Sequence, residues 1–188
     1  MHSSVLQSSR ILVVGTSAAG KSTLAEQLAD TLDRPWIDLD PLYWDTDWTP
    51  KPAEQFVSLV LATASQPQWV ISGNYGSVRE HLWPHADVVV WLNYSFPTVL
   101  YRVLKRTFQR VFNREELWHG NRESFRMSFM SRDSIILWVI TTYRRRRRQL
   151  AALRRENAYP HLSWIELRHP AQARELLAAL RQAESVLS

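Results

Sequence analysis

The sequence predicts an α/β fold, a parallel sheet of five strands with helices packed on both faces. Three observations lead to it. Short β-branched runs alternate with helical stretches along nearly the whole chain, and parallel strands need such crossovers. The runs are apolar at consecutive residues, as in Val88-Val89-Val90-Trp91-Leu92, which marks strands covered on both sides. No repeat, low-complexity linker or second domain interrupts the 188 residues, so residues 1–188 read as one domain.

Residues 1–9 are polar and read as a frayed start. Arg10-Ile11-Leu12-Val13-Val14 is a buried strand closing on Gly15. Over residues 21–33, Leu24, Leu28 and Leu32 share one helical face, and Pro35 stops that helix. Trp36-Ile37-Asp38-Leu39-Asp40 reads as the second strand, ended by Pro41. An aromatic, proline-containing loop follows, with Tyr43, Trp44, Trp48, Pro50 and Pro52, and then a helix at 53–65. The third strand, Gln68–Ser72, halts at Gly73; Asp87–Leu92 is the fourth and Ser163–Leu167 the fifth. Helices are expected over about 96–111 and 128–155, with an amphipathic last one at 170–186 built on Ala173, Leu176, Leu177 and Leu180. Residues 112–127, polar and mixed in charge around Gly120, read as an excursion from the core. Trp36, Trp69, Trp91 and Trp164 fall in strands and are expected in the core.

Composition excludes several classes. At 45% apolar and 22% charged residues the chain is globular. No apolar run approaches the roughly 18 residues of a membrane-spanning helix. The Met1-His2-Ser3-Ser4 start lacks the features of a secretion signal, so the expected setting is cytoplasmic. Without cysteine there are no disulfides and no thiolate metal sites. His81 and His85 have helical ligand spacing, but Pro84 between them argues against the helix that would align them on a metal. The net charge of +5 hides an asymmetry, since residues 100–155 carry 15 Lys and Arg against 4 Asp and Glu, a net +11. Of the 23 basic residues 20 are arginine, whose planar fork grips phosphate oxygens in pairs.

Gly15-Thr16-Ser17-Ala18-Ala19-Gly20-Lys21-Ser22 matches G-x-x-x-x-G-K-[ST] in full, between an apolar strand and a leucine-striped helix. A chain of this length meets the pattern by chance in roughly one case in a hundred. The glycines let backbone N–H groups turn inward as an anion nest, and the following helix aims its positive end at the same phosphates. Gly15, Ser17, Ala18, Ala19, Gly20, Lys21, Ser22 and Thr23 are the expected nucleotide-binding set. Lys21 would reach the β- and γ-phosphates, and Ser22 would offer its hydroxyl to Mg²⁺.

Ligands of an open parallel sheet collect at the carboxyl ends of its strands. Alternation puts Asp38 and Asp40 on the same side at the exit of strand two, where they could hold Mg²⁺ through water or orient an acceptor hydroxyl. Gly73, Asn74 and Tyr75 form a glycine-flanked turn after strand three, and Arg79 beyond it suits either an acceptor's anionic group or an exposed ion pair with Glu80 or Asp87. Trp44 and Trp48 are candidates for lining an acceptor pocket. Arg102, Arg106 and Arg110 recur at i, i+4 and i+8 as one basic stripe, which like-charge repulsion disfavours unless an anion compensates. With the excursion just beyond, they read as an arginine-bearing lid at about 107–130. Arg144–Arg148 point all round a helix and cannot all meet one ligand; Arg144 and Arg148 share a face continuing through Ala151 and Ala152. That run reads either as a nucleic-acid patch or as a solvated helix with one or two inward arginines.

The chain resembles the adenylate-kinase-like small P-loop kinases, and among them most of all the DNA topology modulation (FlaR-related) proteins. The matching pieces are Gly15–Ser22, Leu39-Asp40-Pro41-Leu42-Tyr43-Trp44, Ser72-Gly73-Asn74-Tyr75, Val88–Leu92, Arg102-Val103-Leu104-Lys105-Arg106 and Asn121-Arg122-Glu123, together covering about residues 10–168. The resemblance implies the three-layer P-loop NTPase fold with strand order 2-3-1-4-5, a lid, and ATP as donor. It further implies that the Asp40 and Gly73–Tyr75 regions face the acceptor, that Arg106 and Arg110 serve the lid, and that the Arg168–Ala171 loop, with His169-Pro170, meets the adenine. Two departures stand out. Asn93 follows strand four where such chains often carry Asp, so Asp38 or Asp40 must supply the acidic charge. Ala18-Ala19 replaces Ser/Gly-type residues, which requires that neither take a positive φ.

The expected function is an Mg²⁺- and ATP-dependent phosphotransferase acting on a small acceptor, as a monomer or homodimer. Lys21, Asp40, Arg106 and Arg110 are its expected catalytic groups, with Ser22 and Asp38 at the metal. The alternative from another class is an ATP-binding regulatory protein that binds nucleic acid through its arginine-rich segment. A plain NTPase is disfavoured, because no set of residues clearly positions a hydrolytic water.

Overall fold

A computed structural model describes residues 2–113 and 134–187. Five strands, β1 (Arg10–Gly15), β2 (Trp36–Asp38), β3 (Trp69–Ser72), β4 (Val88–Leu92) and β5 (Ser163–Leu167), form one sheet in the order β2-β3-β1-β4-β5. Every neighbouring pair is parallel, with Ile11 opposite Val70 on one side and Val88 on the other. Among the described residues the helices are α1 (His2–Gln7), α2 (Lys21–Thr31), α3 (Leu39–Tyr43), α4 (Ala53–Ala64), α5 (Arg79–Leu82), α6 (Phe96–Asn113), α7 (Ile135–Arg155) and α8 (Pro170–Leu187). None of them is long and apolar enough to cross a membrane.

The consecutive apolar runs do what two-sided burial requires. Ile11, Val13, Val88, Val90 and Leu92 point into one core with Leu24 and Leu28 of α2 and Leu176 and Leu180 of α8. Leu12, Val14, Val89 and Trp91 point into the other, against Phe56 and Val60 of α4 and Leu150 of α7. Helix α7 belongs to both layers, giving Val139 and Tyr143 to the first core and Leu150 to the second.

Four expectations are corrected. The start of the chain is helical rather than frayed: Val5 of α1 is fully buried, and Asp87 accepts the N–H groups of Ser9 (2.9 Å) and Arg10 (2.8 Å). The second strand ends at Asp38, not Asp40, because the Asp38 side chain caps α3 by accepting Asp40 N–H at 3.2 Å. Pro41 then sits in the first turn of that helix, where its missing N–H costs nothing. Trp36 is not core: it is 38% exposed, since β2 is a three-residue strand at the sheet edge. Finally, α7 begins at Ile135, where Ser134 caps it by accepting from Ile136 and Leu137. Of the expected lid at about 107–130, residues 107–113 simply prolong α6, and 114–130 lie outside the described residues.

Candidate active site

The site is built around the β1–α2 junction. Gly20 ends the loop in the left-handed region (φ 96) and starts α2 directly behind it. Ala19 is fully buried in the core, which explains a small apolar residue there. Ala18 overturns the condition set by the sequence, because it too takes a positive φ, 61. Lys21 donates to the Thr16 carbonyl at 3.3 Å. Burial is the main influence on its ammonium and pulls it below the usual lysine range; Asp40 and Asp38 oppose that shift, while Arg106 and Arg146 add to it. Thr16 Oγ1 is buried in the same loop with no hydrogen-bond partner.

The two carboxylates face this junction for a different reason from strand alternation. Asp38 is the cap and Asp40 the second residue of α3, and both stand close enough to Lys21 to act on its charge. Ser22 hydrogen-bonds Asp38, so the two expected metal ligands meet across the β1–α2 and β2–α3 connections. Burial, reinforced by Asp40, raises the Asp38 carboxyl above the usual range, against the opposing pull of Ser22, the Asp40 N–H and Lys21. Asp40 accepts the Tyr75 hydroxyl at 2.6 Å, and burial together with that carboxylate raises the Tyr75 phenol far above its ordinary value. The turn carrying Tyr75 begins at Gly73 (φ 148), where a Cβ would come within 2.8 Å of the Leu39 side chain. Glycine there lets α3, and with it the acid pair, come close to the end of β3.

The side that the sequence expects to face an acceptor is aromatic. Tyr43 packs on Trp44 (4.8 Å), Phe56 (5.1 Å) and Tyr75 (4.6 Å), and Trp44 in turn on Trp48 (5.9 Å). Arg79 lies over the Trp83 ring, 5.5 Å from its centroid. On α6, Arg102 stands against the Tyr94 ring and so close to Gly20 that a Cβ there would come within 2.9 Å of its Nη2. Arg106 lies one turn on and acts on Lys21, so this part of the basic stripe faces the loop; the Arg110 side chain lies outside the described residues.

At the same carboxyl end of the sheet, after β4, Asn93 stands where related chains often carry aspartate; it is buried and donates through Nδ2 to Glu166 Oε1 at 2.6 Å. Glu166 also takes Arg154 (2.7 Å) and Arg168 (2.9 and 3.2 Å). Burial alone would raise its carboxyl, but the hydrogen bonds from Arg168, Asn93 and Arg154 and the Arg168 charge more than offset this and bring it to about 2. Arg168 therefore stands after β5 as the sequence suggests, with its guanidinium held by Glu166.

Arg146 is the residue that sequence reasoning missed. It is the half-buried member of the five-arginine run and donates to the Asn74 carbonyl at 3.2 Å, whereas Arg144 and Arg148 are both exposed. The signal was present, because Val139, Tyr143, Arg146 and Leu150 follow one another at helical spacings of four, three and four. Among the described residues no group of three or more His, Asp or Glu side chains could hold a metal.

Two expectations follow. Ala18→Gly relieves a left-handed alanine and raises stability by about 0.5–1 kcal/mol, read from urea unfolding; a loss of stability would contradict the strained geometry. Glu166, ionised more easily in the fold than its ordinary value of 4.5, contributes stability above that pH which is lost as pH falls to about 2. The acid unfolding curve of Glu166→Gln should therefore be flatter than that of the unaltered chain over this window, and parallel curves would refute the assignment.

No family model matches the chain, and no curated protein matches it in sequence. Solved structures do. A gluconokinase from Sinorhizobium meliloti 1021 is similar with TM-score 0.52 and 20% identity, over 95% of this chain and 94% of that one. Shikimate kinase from Aquifex aeolicus gives TM-score 0.52 at 14% identity, over 94% of this chain and 96% of that one. Shikimate kinase from Acinetobacter baumannii, in complex with shikimate, gives 0.51 at 18%, over 100% and 99%. With the strand order and the loop geometry, these similarities establish the fold as that of the small P-loop kinases.

Proposed function

We propose that the protein is a phosphotransferase that moves the γ-phosphate of ATP to a small acceptor. The observation that carries this reading is the meeting of Lys21 and Ser22 with Asp38 and Asp40 at one end of the sheet. A hydrolase needs only the phosphate side, whereas here a second wall of Asp40, Tyr75 and aromatic rings faces it. The residues fit the donor. The Gly15–Ser22 backbone, the α2 N-terminus and Lys21 suit a polyphosphate, and Thr16 Oγ1 is a buried hydroxyl without a partner in that loop. They also fit magnesium, which keeps several waters and takes one or two carboxylates with phosphate oxygens. Ser22 and Asp38 would hold it, and when bound it would supply positive charge against the donor phosphates.

The chain's own groups account for the remainder. Lys21 holds donor oxygens and neutralises charge that develops on them. Asp40, held by Tyr75 through Oδ1, is oriented to accept a proton from an acceptor hydroxyl. Arg106 and Arg110 on α6 serve the transferring group. Arg168 and the 168–171 loop serve the base. Within the fold, the Leu39–Trp44 and Ser72–Tyr75 pieces favour the FlaR-related group. A cytoplasmic setting supplies ATP and suits a chain without cysteine.

ATP-to-ADP conversion with Mg²⁺, measured alone and with nucleosides, nucleoside monophosphates and small hydroxylated metabolites, tests the reading. One acceptor class should raise the rate sharply. Lys21→Ala should lower kcat by about 100–1,000-fold or more with unchanged unfolding behaviour. Asp40→Asn should cost a hydroxyl acceptor about 100-fold or more. A fully active Lys21→Ala variant would sink the mechanism.

A second reading rests on Arg144, Arg145, Arg147 and Arg148, all exposed on α7, as a polyanion-binding face. It requires polynucleotide binding that falls steeply with salt, is lost when these four are neutralised and is kept in Lys21→Ala. Salt-independent or absent binding removes it.

A further inference from the structure

Helices α6 and α7 present an apolar face that the site at the β1–α2 junction does not use. Among the described residues nine large apolar side chains are exposed, and these two helices hold seven of them. On α6, Tyr101, Leu104, Phe108 and Phe112 recur at helical spacings of three, four and four, and the Phe108 and Phe112 rings stack at 6.3 Å. Phe112 is 79% exposed, a cost that a surface meeting only water does not repay. On α7, Leu137, Trp138 and Ile140 are exposed within the first two turns. Both helices give their opposite faces to one core, α6 through Val99 and Val103 and α7 through Val139 and Tyr143. Phe96 meets the Tyr143 ring at 5.2 Å, so the helices lie side by side and the exposed side chains look outward together.

Charge narrows what can cover this face. Helices α6 and α7 contain eleven Lys and Arg and no Asp or Glu. Lys105 stands within the α6 stripe, and the exposed Arg144, Arg145, Arg147 and Arg148 continue along α7 beyond Ile140. A second copy would bring this face against itself, cation against cation, with no carboxylate on either helix to separate them. A partner helix would need a groove with two walls, but the hollow on this face is lined by α6 alone, Lys105 and Gln109 included. A nucleic acid would engage the arginines and leave Phe108, Phe112 and Trp138 in water. A lipid surface takes both features, aromatic and aliphatic side chains entering the acyl boundary and arginines beside them at headgroup level.

We infer that the outer face of α6 and α7 docks on an anionic lipid bilayer. No helix among the described residues is long and apolar enough to cross a membrane, so these helices lie on the surface. The rings supply partition into the interface and the outer arginines supply attraction to anionic headgroups. Arg102 and Arg106 turn from α6 toward the donor loop, so the docking face and the site share a helix without sharing residues. The inference stands whether or not the protein transfers phosphate.

The test is co-sedimentation of the whole protein with vesicles of phosphatidylcholine alone and of phosphatidylcholine mixed with phosphatidylglycerol. The mixed vesicles should bind at least 10-fold more tightly, on the order of magnitude that several arginines at an anionic surface supply, and binding should weaken between about 0.1 M and about 1 M salt. Phe112→Ser and Trp138→Ser should each weaken it about 10-fold while urea unfolding stays unchanged, since both side chains are exposed. Neutralising Arg144 and Arg148 together as Arg144→Gln and Arg148→Gln should weaken it as well. Leu61→Ser, at an exposed apolar position on α4 in the opposite layer, should leave it unchanged. Equal binding to both vesicle types overturns the inference. So does binding that survives both Phe112→Ser and Trp138→Ser, which marks a general polyanion patch. Absence of vesicle binding overturns it too, and a dimer in sedimentation velocity that Phe112→Ser dissociates would then give the face to a second copy.

Discussion

The site depends on one buried cation. Lys21 gives up hydration at the start of α2, and Asp40 and Asp38 are the charges that oppose the loss. Those carboxylates come from a different connection, so the balance holds only if the sheet brings the two connections together. Strand order does so: β3 lies between β1 and β2, and its exit must be thin enough for α3 to close over it. Gly73 supplies that thinness, because any side chain there would strike Leu39. The β1–α2 loop, the acid pair and the turn after β3 are therefore one construction, and a change at Gly73 would be felt at Lys21.

Helix α7 is the second organising element. Its Tyr143 hydroxyl donates to the Tyr94 carbonyl just after β4 (2.8 Å), and its Arg146 donates to Asn74 just after β3. One helix of 21 residues thus fixes the exits of two non-adjacent strands while packing into both cores. That double role explains why apolar and inward-facing polar residues share its buried stripe, and why the outer arginines are free to be numerous.

Most of the fold was legible because two-sided burial leaves so plain a trace. β1 and β4 carry the unbroken apolar runs Ile11–Val14 and Val88–Leu92, and several helix starts carry a proline, glycine or cap. Strand order was not in the pattern and came from the resemblance. What failed did so for local reasons. The end of β2 was hidden because an aspartate that caps a helix and an aspartate that ends a strand look alike in sequence, and Pro41 is compatible with both. Trp36 looked like core because burial depends on which strand is the edge, a property of the whole sheet. Helix α1 depends on Val5 finding the core and on Asp87 tying down residues 9 and 10, contacts some eighty positions apart in sequence.

The site was legible in proportion to how local it is. The loop and Lys21 are contiguous, so the motif carried them. Asp38 and Asp40 were grouped through strand alternation that does not exist there; what brings them together is a cap and a first helical turn. Arg146 was hidden by its neighbours, since five identical residues erase the contrast that periodicity needs. The charge excess of the 100–155 segment accordingly resolves into two populations. Arg102, Arg106 and Arg146 turn toward the junction, where with Lys21 they outnumber the two carboxylates. Arg144, Arg145, Arg147 and Arg148 face solvent. The inward group holds like charges close together and partly out of water, with Arg145 adding to the repulsion on Arg146. The chemistry of this segment is therefore decided by which arginines are buried, and its net charge says little about it.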